Sequence, residues 1–536
     1  MSTTTIHDVV GIRQVVPMRR QIRISVDEWL RAHRTSLVVL LPLLAVVGAV
    51  HAKGMATYPD WVDDPGTYLS QAWSLQYERA LSPYSYFYDH APAGWMQMGL
   101  WSMLTGGFGR HATAIGFGNE CMLIAKVVSA GLLFVLARRL GISRPGAAAV
   151  VLLFGLCPLE LVYSRWTFLD NIVTPWMLLA FVLAYSPRRS IAAATGAAMS
   201  FAMAVLTKET ALILLPAFIW AVAQNLDRRN RSQVIAVAAF CGLLLMALYP
   251  LYAVYKGELF EAPNQNSLLG TAQWQLQERQ GTGSLLDPHS STAARFGDWL
   301  QYDRILLLSG PAAIPFAFFV RRLRPVALAL LVGWLALLRG GYLPSMHVLT
   351  LLPWSPLLLV GVLERLAGNW RLSGRLRPLG GWRAGRPGVV VRNLVIGVSV
   401  AALSVSVASW APELRQMTSV TAQPPLRSAE QWVADNVPRN KVLVVHDAIW
   451  VDLVQKYGYQ PRPIIVYKLD TDPAVKASLH RIDYLVLPNW YYQTADAGSK
   501  YPTALEARKH AVPVASFGDG ANGVTVYRVS TLWRPR

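Results

Sequence analysis

Apolar residues in this chain come in long unbroken runs, not in the short alternating stretches of a half-buried sheet. The first run, Thr35 to Val50, carries no ionisable side chain. A helix that crosses a hydrocarbon core needs about 20 such residues. Runs near that length recur at about 35–52, 119–137, 146–163, 169–185, 190–206, 209–224, 234–254, 303–320, 325–339, 346–363 and 393–410. Only helices and closed barrels satisfy their backbone in lipid, and runs of this length read as helices. The pattern predicts a polytopic α-helical membrane protein with about eleven transmembrane helices.

Past residue 410 the pattern changes. Lys441–His446, Ile464–Tyr467, Asp483–Pro488 and Gly523–Arg528 read as strands, with helices at Ser428–Asn436 and Ala448–Tyr457. This alternation predicts a small α/β domain over 411–536.

Charge gives the sidedness. Arg19, Arg20, Arg23, Arg31 and Arg34 precede the first span. Arg138/Arg139, Arg188/Arg189, Asp227–Arg231, Arg321/Arg322/Arg324 and the run Arg365 to Arg392 all follow outside-to-inside spans. Basic loops stay cytoplasmic, so segment 1–34 is expected inside a plasma membrane and the 411–536 domain outside, an extracytoplasmic position. Two long loops, about 51–118 and 256–302, then lie outside, and a Gly/Arg/Pro-rich loop at about 364–392 lies inside.

Composition agrees. The chain has 536 residues, 53% hydrophobic and 15% charged, where soluble domains carry about 25% charged. Its mean hydropathy is +0.32. The net charge of +19 is accounted for by cytoplasmic arginines contacting membrane lipids, not by nucleic acid. Cys121, Cys157 and Cys241 lie in or beside apolar runs and form no CxxC pair, so neither a structural disulfide nor a zinc site is expected. No cleavable leader is read at the N-terminus.

Ionisable groups at membrane depth are functional candidates. They collect on the outer side. Asp63 and Asp64 stand in Trp61–Tyr68, just past the first span. Asp89 and His90 stand in Tyr86–Trp95, Arg165 and Asp170 in the turn Ser164–Asn171, and Lys208 and Glu209 in the turn Leu206–Ala211. Arg339–His347 is a weaker fifth element. Solvated helix ends would explain any one of these, and Glu209 most readily.

Together, in order and sidedness, the motifs resemble the GT-C fold glycosyltransferases that use lipid-phosphate sugars, on the branch of protein O-mannosyltransferases and aminoarabinose transferases. Asp64-Pro-Gly-Thr-Tyr68 resembles that family's Asp-Glu-x-x-Tyr, with Pro65 where the second acid stands. Tyr88–Trp95 resembles its Tyr/Phe-x-x-Pro-Pro-Leu, Arg165…Asp170 its Arg…Leu-Asp, and Thr207-Lys208-x-Thr210 its Thr-Lys-x-Thr. The resemblance covers about 35–365 and implies a GT-C-like catalytic domain at 35–410. It implies transfer of a sugar from a polyprenyl phosphate to an extracytoplasmic protein, lipid or cell-wall glycan, with inversion. Asp64 is the expected general base, with Asp63 as the alternative. Asp89 is expected to ligate a divalent metal or orient the acceptor. His90, Arg165 and Lys208 are expected at the donor phosphate, Arg165 and Lys208 as a paired clamp. Asp170 is expected to position the sugar or to hold Arg165, and Tyr68 to complete the substrate site. The tail, without an acid cluster, is expected to serve the acceptor and not the chemistry. Two other readings use the same residues: a lipid-linked sugar transporter or flippase, and a non-catalytic envelope scaffold.

Overall fold

A computed structural model of the chain describes residues 18–260, 267–367, 386–493 and 497–535. Every one of the eleven expected apolar stretches is helical. Asp27–Ala52, Ala114–Leu140, Arg231–Lys256 and Ser345–Leu366 are each long and apolar enough to cross a bilayer. Leu169–Ala184, Ile191–Thr207, Glu209–Asn225, Ile305–Phe318 and Arg324–Leu338 are shorter apolar helices. The first helix, α1 (Met18–Ala52), begins well ahead of the expected span. The expected loop at 364–392 falls mostly on 368–385, outside the described residues.

Between α1 and the next long helix, the first loop folds into α2 (Pro65–Tyr77) and α3 (Ala93–Thr105). Then follow α4 (Ala114–Leu140), α5 (Arg144–Leu156), α6 (Pro158–Arg165), α7 (Leu169–Ala184) and α8 (Ile191–Thr207). α5 and α6 meet at a bend of 59°. The cause is local: Pro158 has no N–H to continue the ladder, and Cys157 before it is extended at ψ 123°. The helices pack on one another through a large apolar core, in which Phe181 and Trp354 meet at 4.7 Å between ring centroids.

The tail is the expected α/β domain. Its five strands are β1 (Leu443–Val445), β2 (Ile464–Ile465), β3 (Tyr484–Pro488), β4 (Ala511–Phe517) and β5 (Val524–Val529), in spatial order β2-β1-β3-β5-β4. β1, β2 and β3 run parallel, and β5 and β4 continue antiparallel. β4 was not expected from the sequence. It contains Pro513 and pairs only with β5, as an edge strand, so its residues lack a buried alternation.

Loop and tail share one core. Tyr68, Leu69 and Trp73 of α2 and Trp95 of α3 are buried with Val445, Trp450 and Val486 of the domain. Trp73 and Trp450 meet edge to face at 5.6 Å. The domain also closes two helix N-termini, whose first N–H groups have no partner within the helix. Asp447 accepts from the Thr67 N–H of α2 at 2.8 Å. Asp452 accepts from the Ala114 N–H of α4 through both oxygens at 3.1 Å. At Gly66 the two backbones touch: a Cβ there would lie 2.1 Å from the backbone carbon of Asp447.

Candidate active site

Asp64 is the N-cap residue of α2, held at φ 83°, a left-handed conformation that a side chain with a Cβ seldom adopts. Its carbonyl starts the helix by accepting from the Tyr68 N–H at 3.1 Å. Pro65 follows at the first helical position, where its missing N–H costs nothing. An N-cap aspartate ordinarily turns its carboxylate onto its own helix. Asp64 does not. Asp447 takes that position instead, accepting from both the N–H and the hydroxyl of Thr67, the latter at 2.9 Å. The Asp64 carboxyl is left without a hydrogen bond among the described residues. Burial pushes it up to about 6, and the charges of Asp63 and Asp447 add to that, while Lys208 and His90 pull the other way.

Asp63 points into the domain. It accepts from the Tyr491 hydroxyl, and its Oδ1 lies 3.0 Å from Nε2 of His446. His446 is fully buried, with Nδ1 2.9 Å from Oδ1 of Asp447. Burial alone would lower His446, but the two carboxylates override it and push the imidazole up to about 10. Nε2 of His446 and Oδ1 of Asp447 nonetheless lack aligned hydrogen bonds. Asp63, His446 and Asp447 each offer a ligand atom, all within 4.8 Å of one another. One imidazole and two carboxylates suit a divalent cation in donor type.

The remaining expected residues divide. Tyr68 is buried on α2 beside His90, at 6.2 Å between ring centroids. Burial and then the charges of Asp64, Asp170 and Asp89 hold its hydroxyl above its ordinary range, which puts it among the acids. His90 is held by Glu209, at 3.0 Å from Nδ1, and Glu209 also accepts from the Ala91 N–H. Lys208 closes on Asp170 at 2.6 Å with both side chains buried.

Arg165 is not paired with Lys208. Its guanidinium donates to the carbonyls of Val50, Lys53 and Tyr58, at 3.1, 2.7 and 3.1 Å, and so closes the C-terminal end of α1. In place of the expected two-cation clamp, the two cations are held separately, Arg165 by a helix end and Lys208 by an acid. Asp89 is exposed and lies outside the three residues that suit a metal. His347, in the weaker fifth element, is buried with Nε2 2.9 Å from the Gly333 carbonyl.

His446, Asp447, Lys468 and Tyr491 were not expected at the site. The sequence did carry a signal. His446 and Asp447 directly follow β1, Lys468 follows β2 by three residues, and Tyr491 follows β3 by three. Carboxyl ends of parallel strands are where open α/β sheets gather ligands. The tail, expected to serve the acceptor and not the chemistry, contacts the helix that Asp64 heads, through Asp447 and Thr67.

Residues 89–250 match the sequence profile of the dolichyl-phosphate-mannose-protein mannosyltransferase family. The structure of ArnT from Cupriavidus metallidurans, solved with undecaprenyl phosphate, superposes with a TM-score of 0.57 at 14% identity. That match covers 93% of this chain and 99% of the other. The oligosaccharyltransferase of Archaeoglobus fulgidus, solved with a tethered acceptor peptide, superposes with a TM-score of 0.53 at 11% identity, over 94% of this chain and 75% of the other. A sequence comparison with curated proteins found no match. The chain therefore has the GT-C fold, with apolar helices of a membrane protein and a C-terminal sheet domain, as the sequence motifs implied.

Proposed function

We propose that this protein is a membrane glycosyltransferase that moves a sugar from a polyprenyl-phosphate donor to an extracytoplasmic acceptor, with inversion, and that Asp64 is its general base. The observation that carries the assignment is the free Asp64 carboxylate at the head of α2, whose capping duty Asp447 has taken over. Asp63, the alternative base, is already engaged by Tyr491 and His446.

In the reaction an acceptor hydroxyl or amine attacks the anomeric carbon. The bond from that carbon to the phosphate oxygen breaks, and the electron pair leaves on the lipid phosphate. The acceptor's proton passes to Asp64. A carboxylate raised to about 6 is still mostly ionised near neutral pH, and it is a stronger base than an ordinary one. The leaving phosphate needs cationic stabilisation rather than an acid. Asp63, His446 and Asp447 would hold a divalent ion, whose positive charge would offset the negative charge of the leaving phosphate. An apolar groove of about 330 Å³, lined by Gln97, Trp101, Cys121, Ile172 and Trp176 among others, suits a prenyl tail. Its Gln97 reaches Thr207, next to Lys208, so the groove leads toward the acids. The basic clusters read in the sequence support a position for this site on the outer face of the plasma membrane, with the N-terminus cytoplasmic.

The test follows label from a polyprenyl-phosphate sugar in membranes. Asp64→Asn should lower transfer by about 10²–10⁴, the worth of a positioned base, at unchanged expression. Normal transfer in Asp64→Asn, with Asp63→Asn inactive, would move the role to Asp63. Normal transfer in both would end the assignment.

A further inference from the structure

Four lysine or arginine residues are at least nine-tenths buried among the described residues: Lys126, Arg165, Lys208 and Lys468. Lys126 is paired with Glu160 at 2.6 Å and Lys208 with Asp170 at 2.6 Å. Arg165 donates to three backbone carbonyls. Lys468 alone has neither an ion pair nor a side-chain hydrogen bond. Its Nζ sits 4.0 Å over the ring of Phe87, with the rings of Tyr467 and Tyr84 at 5.9 and 6.0 Å. A buried ammonium without a counter-charge is costly, and an aromatic face offsets only part of that.

The carboxylates nearest to Lys468 do not supply the charge. Asp472 already accepts from the backbone N–H groups of Ser85, Ala474 and Val475. Asp89 is exposed to solvent. Burial lowers Lys468 from its ordinary range, against the opposing fields of Asp89 and Asp472.

Position completes the case. Lys468 follows the carboxyl end of β2, on the same edge of the sheet as His446 and Tyr491. Phe87, which it covers, precedes Asp89 and His90 by two and three residues in the first loop. Its neighbour Tyr467 lies in the fields of Asp447, Asp64 and Asp63. The short helical segment Val466–Leu469 therefore lies near the acid cluster and carries an unmatched cation.

From this geometry we infer that Lys468 of the C-terminal domain is the cation that receives the phosphate of the lipid-linked donor. The inference rests on the donor reading above. A phosphate oxygen would accept from the ammonium and supply the missing counter-charge, leaving Lys208 to Asp170.

The test uses the full-length protein in nanodiscs, with three probes: undecaprenyl phosphate, undecaprenol and inorganic phosphate. Lys468→Met keeps the length of the side chain and removes the charge. It should weaken undecaprenyl phosphate binding by about ten- to a hundredfold, the loss expected for one charge-assisted hydrogen bond. Lys468→Arg should restore most of it. Undecaprenol binding should be the same in all three proteins. The melting temperature of Lys468→Met should equal or exceed that of the parent, since it removes an uncompensated buried charge. Undecaprenyl phosphate binding unchanged in a folded Lys468→Met overturns the inference and leaves the donor reading standing. Inorganic phosphate bound through Lys468 by a protein indifferent to undecaprenyl phosphate keeps an anion site and overturns its assignment to the lipid donor. Binding of neither anion by the parent overturns it outright.

Discussion

Gly66→Ala should separate the first loop from the C-terminal domain. In an ordinary helix this change is favourable by about 0.5–1 kcal/mol, because glycine loses more conformational freedom on folding. Gly109 gives that baseline: it is helical, and a Cβ there meets nothing within 4 Å. At Gly66 the added carbon would lie 2.1 Å from the carbon and 2.3 Å from the oxygen of Asp447, and 2.3 Å from the nitrogen of Ala448. All three are backbone atoms, so no side chain can rotate aside. Overpacking of this kind costs about 1–3 kcal/mol. Moving the domain away also loosens the two bonds from Thr67 to Asp447, each charge-assisted and worth about 1.5–3 kcal/mol when broken. A net cost near 3 kcal/mol would raise the undocked population by more than about a hundredfold. Hydrogen exchange at β1 and α2 should then rise together in Gly66→Ala, and sugar transfer should fall steeply. Gly109→Ala should change neither. Parental exchange and transfer in Gly66→Ala would refute the claim that this contact holds the loop that carries Asp64.

Sugar transfer should show an acid limb near pH 6, rising with pH as Asp64 loses its proton, and Asp64→Asn should remove the limb along with most of the rate. The folded-state value lies above the ordinary 3.8, so the folded protein binds more protons than the unfolded chain between the two, and the contribution of Asp64 to stability falls as pH rises through that window. Asp64→Asn should therefore melt above the parent at pH 7.5, and a lower melting temperature would contradict the burial argument. Trp450→Ala should destabilise the tail domain by about 3–5 kcal/mol, seen as a lower denaturation midpoint, because its indole is 1% exposed and packs on Trp73. In a cysteine-free background, Asp519→Cys should react with an impermeant thiol reagent on intact cells, and Asn230→Cys only after permeabilisation; the reverse would invert the topology.

Much of the fold was legible because lipid imposes a simple rule on sequence. Runs such as Thr35–Val50 and Arg231–Lys256 have one structural solution, and basic clusters such as Asp227–Arg231 stand at their ends. Asp63, Asp64 and His90 stood out in the sequence as candidates for the same reason, since polar groups beside spans contrast with apolar surroundings, and Tyr68 came with the motif around Asp64. The pairing of cations was not legible. Arg165 and Lys208 look alike in sequence, each in a turn between spans. Which one meets carbonyls and which meets Asp170 depends on where α1 ends and how α6 bends, and neither follows from periodicity. His446 and Asp447 were hidden differently. In a soluble α/β segment a His-Asp pair is unremarkable, and its meaning appears only when β1 is set against the loop.

The sheet order explains why the tail had to join the site. With strands ordered β2-β1-β3-β5-β4, the connection leaving β1 runs one way to β2 and the connection leaving β3 runs the other way to β4, so a crevice opens at the carboxyl ends of β1 and β3. Open α/β sheets place ligands in such a crevice. Here it holds Asp63, gripped between His446 after β1 and Tyr491 after β3. The membrane domain's own loop thus occupies the ligand position of the soluble domain. One residue further on, Asp64 is turned away at φ 83° toward Tyr68, His90 and Lys208. Pro65 cannot supply the second acid that the related motif carries at that place, and Asp447 puts a carboxylate against the same turn from across the interface. The left-handed backbone at Asp64 persists because both flanks are fixed, Asp63 by the crevice and Thr67 by Asp447. Strain of that kind is retained where neighbouring structure over-determines it. It follows that the grip on Asp63 and the position of the Asp64 carboxylate are one mechanical unit. A substitution at Tyr491 should act on transfer through Asp64 without touching the sugar.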